Sequence, residues 1–235
     1  IPAKLFEDTH EFHYNDLDSL DALLEAHRGD VAAIIVTPVG HPLAHPVQAP
    51  APGFLEGVRE RATAAGAVLV FDEIRSGFRV ALGGAQARYG VTPDLATFGK
   101  AMANGYPISA VVGRAEVMDT VVSKVFISST FFPNTLEMAA ALKTIEILET
   151  EKALDTLWER GTRWLAQATD IVAHSGVAAE VSGIPPMPFI TFPAGADKKY
   201  KERRTLFYTE VIRRGVFLQP YHHGYIMCRH TDADL

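Results

Sequence analysis

Two residues have the chemistry and the position to act on a ligand. Asp72 closes the apolar run "VLVFD", and Lys100 follows "LATFG". A carboxylate and an amine leaving the carboxyl ends of neighbouring strands converge on one crevice, the place where open parallel sheets bind ligands. The neighbours of Lys100 in "TFGKAMANGYP" are small or apolar, so water-poor surroundings are expected for it. An amine kept from water is more readily neutral, and a neutral amine attacks an aldehyde to give a Schiff base. The pair alone does not identify a site, because an acid and an amine at strand ends occur in many α/β proteins.

The elements that must carry these residues follow from the hydrophobic pattern. Asp16 predicts the cap of a helix with Leu17, Leu20 and Leu24 on one face. "VAAIIVTPV", residues 31–39, opens with a continuous apolar run, the pattern of a strand buried on both faces. Pro38, Pro42, Pro46, Pro50 and Pro52 then impose a loop. A second helix places Leu55, Val58, Ala62 and Ala65 on one face. "AVLVFDE", "DLATFGK" and "PISAVVG" read as three further strands. Asn134 predicts the cap of a helix with Glu137 as its capping-box partner, and a further helix covers roughly 152–172. "GVAAEVSG" and "MPFITFP" read as short strands, followed by a helix near 199–213 and "GVFLQP". Strands alternating with helices predict an α/β domain with a mostly parallel sheet, followed by a smaller α+β domain. The boundary is expected near 150, giving domains 1–150 and 151–235.

Composition bounds the alternatives. The 235 residues are 48% apolar and 21% charged, the balance of a globular protein, and no apolar run has the length of a membrane span. The net charge of −6 disfavours a nucleic-acid partner. The basic run Lys198 to Arg204 reads as a solvated helix face. A single cysteine, Cys228, fits a reducing, cytoplasmic compartment and reads as a small buried side chain. His41 and His45 are four apart, but Pro42 and Pro46 exclude a regular helix and no glutamate lies between them, so no metal is expected. His222 and His223 are placed at a strand end in the small domain, where a structural turn is expected ahead of a role in substrate selection. Arg79 reads as a residue that orients its turn or recognises a carboxylate, with the first favoured. Glu73 reads as a support that orients the site.

A Schiff-base lysine with an acid on a pyridine nitrogen is the arrangement pyridoxal phosphate requires. An acid about 4 Å from a pyridinium gains roughly 4 kcal/mol at an effective dielectric of about 20, enough to keep the ring protonated at neutral pH. The stretch "VLVFDEIRSGFRVALGGAQARYGVTPDLATFGKAMANGYPISAVVG" closely resembles the class III aminotransferases, nearest in look to the branch that includes glutamate-1-semialdehyde aminomutase. The resemblance covers residues 11–150 and runs more loosely to "RHTDADL". It implies a fold type I, pyridoxal-phosphate-dependent transferase. It assigns Asp72 to the pyridine nitrogen, Ile74 to the ring face and Lys100 to the Schiff base. "SSTFFPNTLEMAAAL" is similar to the segment whose threonine reaches the cofactor phosphate across a homodimer interface, which implies Thr130 with Ser129 beside it.

The implied activity is transfer of an amino group from an amino donor to a keto or aldehyde acceptor. An aminomutase and a non-catalytic relative remain as alternatives. Two departures weaken transfer of the aminomutase's substrate. Phe132, Pro133, Asn134 and Thr135 replace the usual Ser-Gly-Asn-Pro, and Thr37-Pro38 replaces Glu-Pro. The family's phosphate loop and ring-stacking aromatic residue lie upstream of the first strand. With Ile1 as the first residue, the N-terminal part is expected to be missing and the last helix cut short.

Overall fold

The structure is a computed structural model that describes residues 3–40, 45–128, 130, 132 and 134–235. It forms two compact units, one of residues 1–38 with 50–145, the other of residues 39–49 with 146–235.

The first unit is built on a four-stranded sheet in the order β1 (Ala33–Val36), β2 (Val68–Asp72), β3 (Leu95–Phe98), β4 (Ala110–Gly113). The first three strands are parallel, with Val36 opposite Phe71 and Asp72 opposite Thr97. β4 returns antiparallel, with Phe98 opposite Ala110. Leu69 and Phe71 are fully buried on the central strand, against Leu55, Val58 and Ala62 of helix α2 (Phe54–Ala65). Each such side chain contributes about 1.5–3 kcal/mol of burial. Helix α1 (Leu17–Ala26) starts as expected, with Asp16 Oδ1 accepting from Ser19 N at 3.0 Å.

β1 covers only four residues and is not buried on both faces: Ile35 is 61% exposed. Among the described residues it is an edge strand, flanked in the sheet by β2. Ala65, at the end of α2, is also exposed. Helix α3 (Gly84–Tyr89) is too short for periodicity to reveal, and helix α4 (Ala115–Lys124) was not expected although its apolar residues are segregated as in α1. Helix α5 (Thr135–Thr150) begins with Asn134 Oδ1 accepting from Leu136 N at 3.3 Å. The Glu137 carboxylate is buried, and Oε2 has no hydrogen-bond partner.

In the second unit, the long helix α6 (Ala153–Ser175) packs on the hairpin of β5 (Glu180–Ile184) and β6 (Met187–Thr191). Gly161 permits the approach, since a Cβ there would lie 1.9 Å from the Pro185 carbonyl oxygen. Helix α7 (Tyr200–Arg213) is fastened by Tyr208, whose hydroxyl donates to the Ile190 carbonyl at 2.8 Å and is pushed up to about 12 by burial. The proline-rich loop closes on itself through the Gly40–Gln48 bridge and joins this unit through the Val47 N–H, which donates to Ser182 Oγ at 3.2 Å. Cys228 is exposed rather than buried, although partial burial still raises its thiol. No strand covers 214–235, so His222 and His223 do not sit at a strand end.

Candidate active site

The site begins at the carboxyl ends of β2 and β3. Their parallel register puts Asp72 beside Thr97, three residues before Lys100. Asp72 Oδ1 accepts from Ile74 N at 3.1 Å and from Thr97 Oγ1 at 3.3 Å. Among the described residues, no hydrogen bond occupies Oδ2. One oxygen is thus anchored to the sheet end and the other is left for a ligand.

Below this carboxylate lies a second acid. Glu73 is 1% exposed, and both its oxygens accept from Ala85 N at 2.8 Å, with Ser76 Oγ donating to Oε2 at 3.2 Å. Burial pushes the Glu73 carboxyl above the usual carboxylate range, against the opposing pull of these hydrogen bonds. The packing leaves no space for a side chain at Gly84, where a Cβ would lie 2.3 Å from Glu73 Oε1 and φ is +69°. Glu73 therefore ties the turn after β2 to the start of α3, fixing the segment that carries Ile74 and Arg79.

β3 ends at Phe98, and after Gly99 a short 3-10 helix, Lys100–Ala103, follows. Lys100 has φ +45°, a left-handed backbone that costs a non-glycine residue about 1–2 kcal/mol. Strain of this kind is kept where surrounding structure holds it, commonly at functional sites. Ile74 reaches the same place: its Cγ2 lies 3.8 Å from the position a Cβ on Gly99 would take.

Lys100 lines a cavity of about 480 Å³ together with Arg79, Ala101, Asn104, Tyr106 and Ile108. That volume falls in the range of about 300–1,000 Å³ usual for small-molecule sites. Contrary to the expectation of water-poor surroundings, Lys100 is exposed, because the chain leaves the sheet at Gly99 and turns through Asn104 and Gly105 at the cavity wall.

The structure groups Asp72, Ile74 and Thr97 at the sheet end, and Lys100 with Arg79 around the cavity. Thr130 is exposed and does not line the cavity, and Ser129 and His41 lie outside the described residues. His45 is exposed. His222 and His223 stack at 4.3 Å, and His223 Nε2 lies 3.1 Å from Tyr225 Oη. Among the described residues, no group of three or more metal-ligating side chains occurs. Sequence reasoning missed Thr97 and the Asn104–Ile108 wall. Strand register would have given the first, and the Asn-Gly pair is a turn signal that points to the second.

Residues 3–231 match the family model described as aminotransferase class-III. The chain belongs to that family. The 3-aminobutyryl-CoA aminotransferase of Cloacimonas acidaminovorans (strain Evry) is 57% identical over all 235 residues, which cover 57% of that protein. Glutamate-1-semialdehyde 2,1-aminomutase 2 of Brevibacillus brevis is 34% identical, again with 100% of this chain and 57% of the relative covered. Among solved structures, the pyridoxal phosphate internal aldimine form of the Sphingopyxis sp. MTA144 FumI protein superposes with a TM-score of 0.89 at 32% identity, over 96% of this chain and 53% of that one. A β-phenylalanine aminotransferase from Variovorax paradoxus gives 0.81 at 29%, over 94% and 53%. The chain thus spans a little over half the length of these class III relatives, and the α/β architecture with its mostly parallel sheet is theirs.

Proposed function

We propose that the protein is a pyridoxal-phosphate-dependent aminotransferase, moving an amino group from an amino donor to a keto or aldehyde acceptor. The observation that carries this reading is the pairing at the sheet end. Asp72 presents one unengaged oxygen beside β3, and the same strand leads within two residues to a cavity-lining lysine. The residues present fit the cofactor. Lys100 Nζ would hold its aldehyde carbon, Asp72 Oδ2 its ring nitrogen and Ile74 one ring face, with Ser129 and Thr130 as neutral donors to the phosphate. When bound, the cofactor supplies an electron sink for the substrate carbon. Lys100 Nζ, when not bonded to the cofactor, would act as the general base that takes the proton from that carbon.

In this reading residues 1–150 are the second half of the cofactor-binding large domain and 151–235 the C-terminal small domain. The protein works as a cytoplasmic homodimer that shares its active site between subunits. One cysteine in 235 residues is in keeping with a reducing compartment. No described helix is long and apolar enough to cross a membrane.

The donor we propose carries its amino group on carbon 3 of an acyl chain. The names of the 57%-identical relative and of the β-phenylalanine aminotransferase both support that placement. The aminomutase reading survives as a second one because a relative of that name is 34% identical. One experiment separates them. Full-length protein is given 3-aminobutyrate or its thioester alone, and the cofactor absorbance is followed. A transaminase stops after one half-reaction until a keto acid is added, whereas a mutase turns over its substrate with no acceptor. A cofactor spectrum unchanged by a broad panel of donors would defeat both readings, and failure to bind pyridoxal phosphate would favour a non-catalytic relative.

A further inference from the structure

The cavity beside Lys100 has a second cation, Arg79, to which the transfer chemistry assigns no task. We infer that Arg79 reads the acyl oxygen of the substrate, a carboxylate or thioester carbonyl two carbons from the reacting amine. The inference rests on the proposed reading of the donor as a 3-amino acyl compound.

The position of Arg79 is fixed from below. Its N–H and that of Val80 both donate to the Ser76 carbonyl at 3.1 Å, and Ser76 is fully buried and bonded to the buried Glu73. Phe78, directly before it, takes a left-handed φ of +59° and sets its ring 5.4 Å from that of Phe98 on β3. The turn is therefore held to the same strand that leads to Lys100. The backbone that carries Arg79 is thus held, the residue is half-buried, and its planar fork suits a carboxylate with two hydrogen bonds or a thioester carbonyl with one.

Charge points the same way. The chain carries a net −6, yet among the described residues the cavity lining contains two cations, Arg79 and Lys100, and no acid, a balance that favours an oxygen-bearing, electron-rich group. Lys100 engages the reacting end of a substrate, and Arg79 is the remaining cation of the lining. Asn104 and Tyr106 add neutral polar groups to the same wall.

The test uses 3-hydroxybutyrate and its N-acetylcysteamine thioester as non-reacting probes. Each is titrated into full-length protein loaded with pyridoxal phosphate, as wild type, Arg79→Gln and Arg79→Lys. The Gln variant should bind at least one probe about tenfold to a hundredfold more weakly, the range for a lost charged hydrogen bond, with the Lys variant between. A loss for the acid alone assigns a free acid, and a loss for the thioester alone assigns a thioester. Equal affinities in wild type and the Gln variant overturn the inference, as does the absence of probe binding by wild type. So does an equal weakening of pyridoxal phosphate itself, which would reveal a purely structural arginine. Should Arg79→Gln not fold, the Lys variant carries the same comparison. The donor-alone experiment tests transamination separately, so a failure there with a retained Arg79 effect would remove the reaction and keep the site.

Discussion

At residue 100 backbone strain and side-chain chemistry can be separated. Both Lys100→Ala and Lys100→Gly remove the amine, and both should abolish transamination and borohydride-dependent labelling of peptide 100. Only glycine also relieves the φ of +45°. Lys100→Gly is therefore expected to be more stable than Lys100→Ala by about 1 kcal/mol in urea unfolding. Equal stabilities would mean that the left-handed geometry is not held in solution. Glu73 gives a second residue-level expectation, with a pH sign. Its folded carboxyl titrates above the ordinary value, chiefly through burial. The stability linked to it is then fully present below that ordinary value and is lost as pH rises through the raised one. Glu73→Gln should flatten the decline over that window, read from unfolding free energies at a series of pH values. A decline of the same slope in both proteins would assign it to another group.

At the scale of elements, Asp94 joins three pieces of the first unit. It precedes β3, accepts from Leu69 N of β2 at 2.8 Å, and pairs with Arg59 of α2 at 2.7 Å and Arg114 after β4 at 3.0 Å. Burial opposes its charge, but the hydrogen bonds from Leu69, Arg59 and Arg114 prevail and lower its carboxyl. The stability it contributes is present above the ordinary aspartate range and is lost as pH falls through the depressed folded value. Asp94→Asn should cost about 3 kcal/mol, the low end for a buried pair because Arg114 is exposed, and should weaken the acid-unfolding transition. In the second unit the contact of α6 with the β5–β6 turn depends on the missing side chain at Gly161. Gly161→Ala sets a methyl group against the Pro185 backbone and should destabilise that unit by about 1–3 kcal/mol. A neutral result in thermal unfolding would mean that the hairpin shifts freely.

For the whole molecule the testable quantity is linkage between cofactor and fold. A ligand that binds only the native state at about one hundred times its dissociation constant adds roughly 2.7 kcal/mol. Full-length protein should unfold at a higher temperature with pyridoxal phosphate than after its removal. Asp72→Asn, which leaves Oδ1 bonded to the sheet end and takes the charge from the ring-facing side, should reduce that increment. An increment unchanged in Asp72→Asn would remove the aspartate from the cofactor contacts. The chain covers a little over half the length of its class III relatives, so these measurements belong on the full-length protein.

Local pattern settled much of this architecture. The parallel strands, the Asp16 cap and the helix and hairpin positions of the second unit are visible because burial periodicity and capping chemistry act over a few residues. Asp72 and Lys100 were legible for the same reason, as polar residues ending apolar runs. Only the folded chain could decide what depends on distant neighbours. Ile35 is exposed because no described element covers its face of β1, and Glu137 is buried although it stands in the first turn of α5. Thr97 meets Asp72 through strand register, and Arg79 and Lys100, 21 residues apart, line one cavity. Burial and partner choice are properties of packing between segments far apart in sequence, and spacing along the chain carries no record of them.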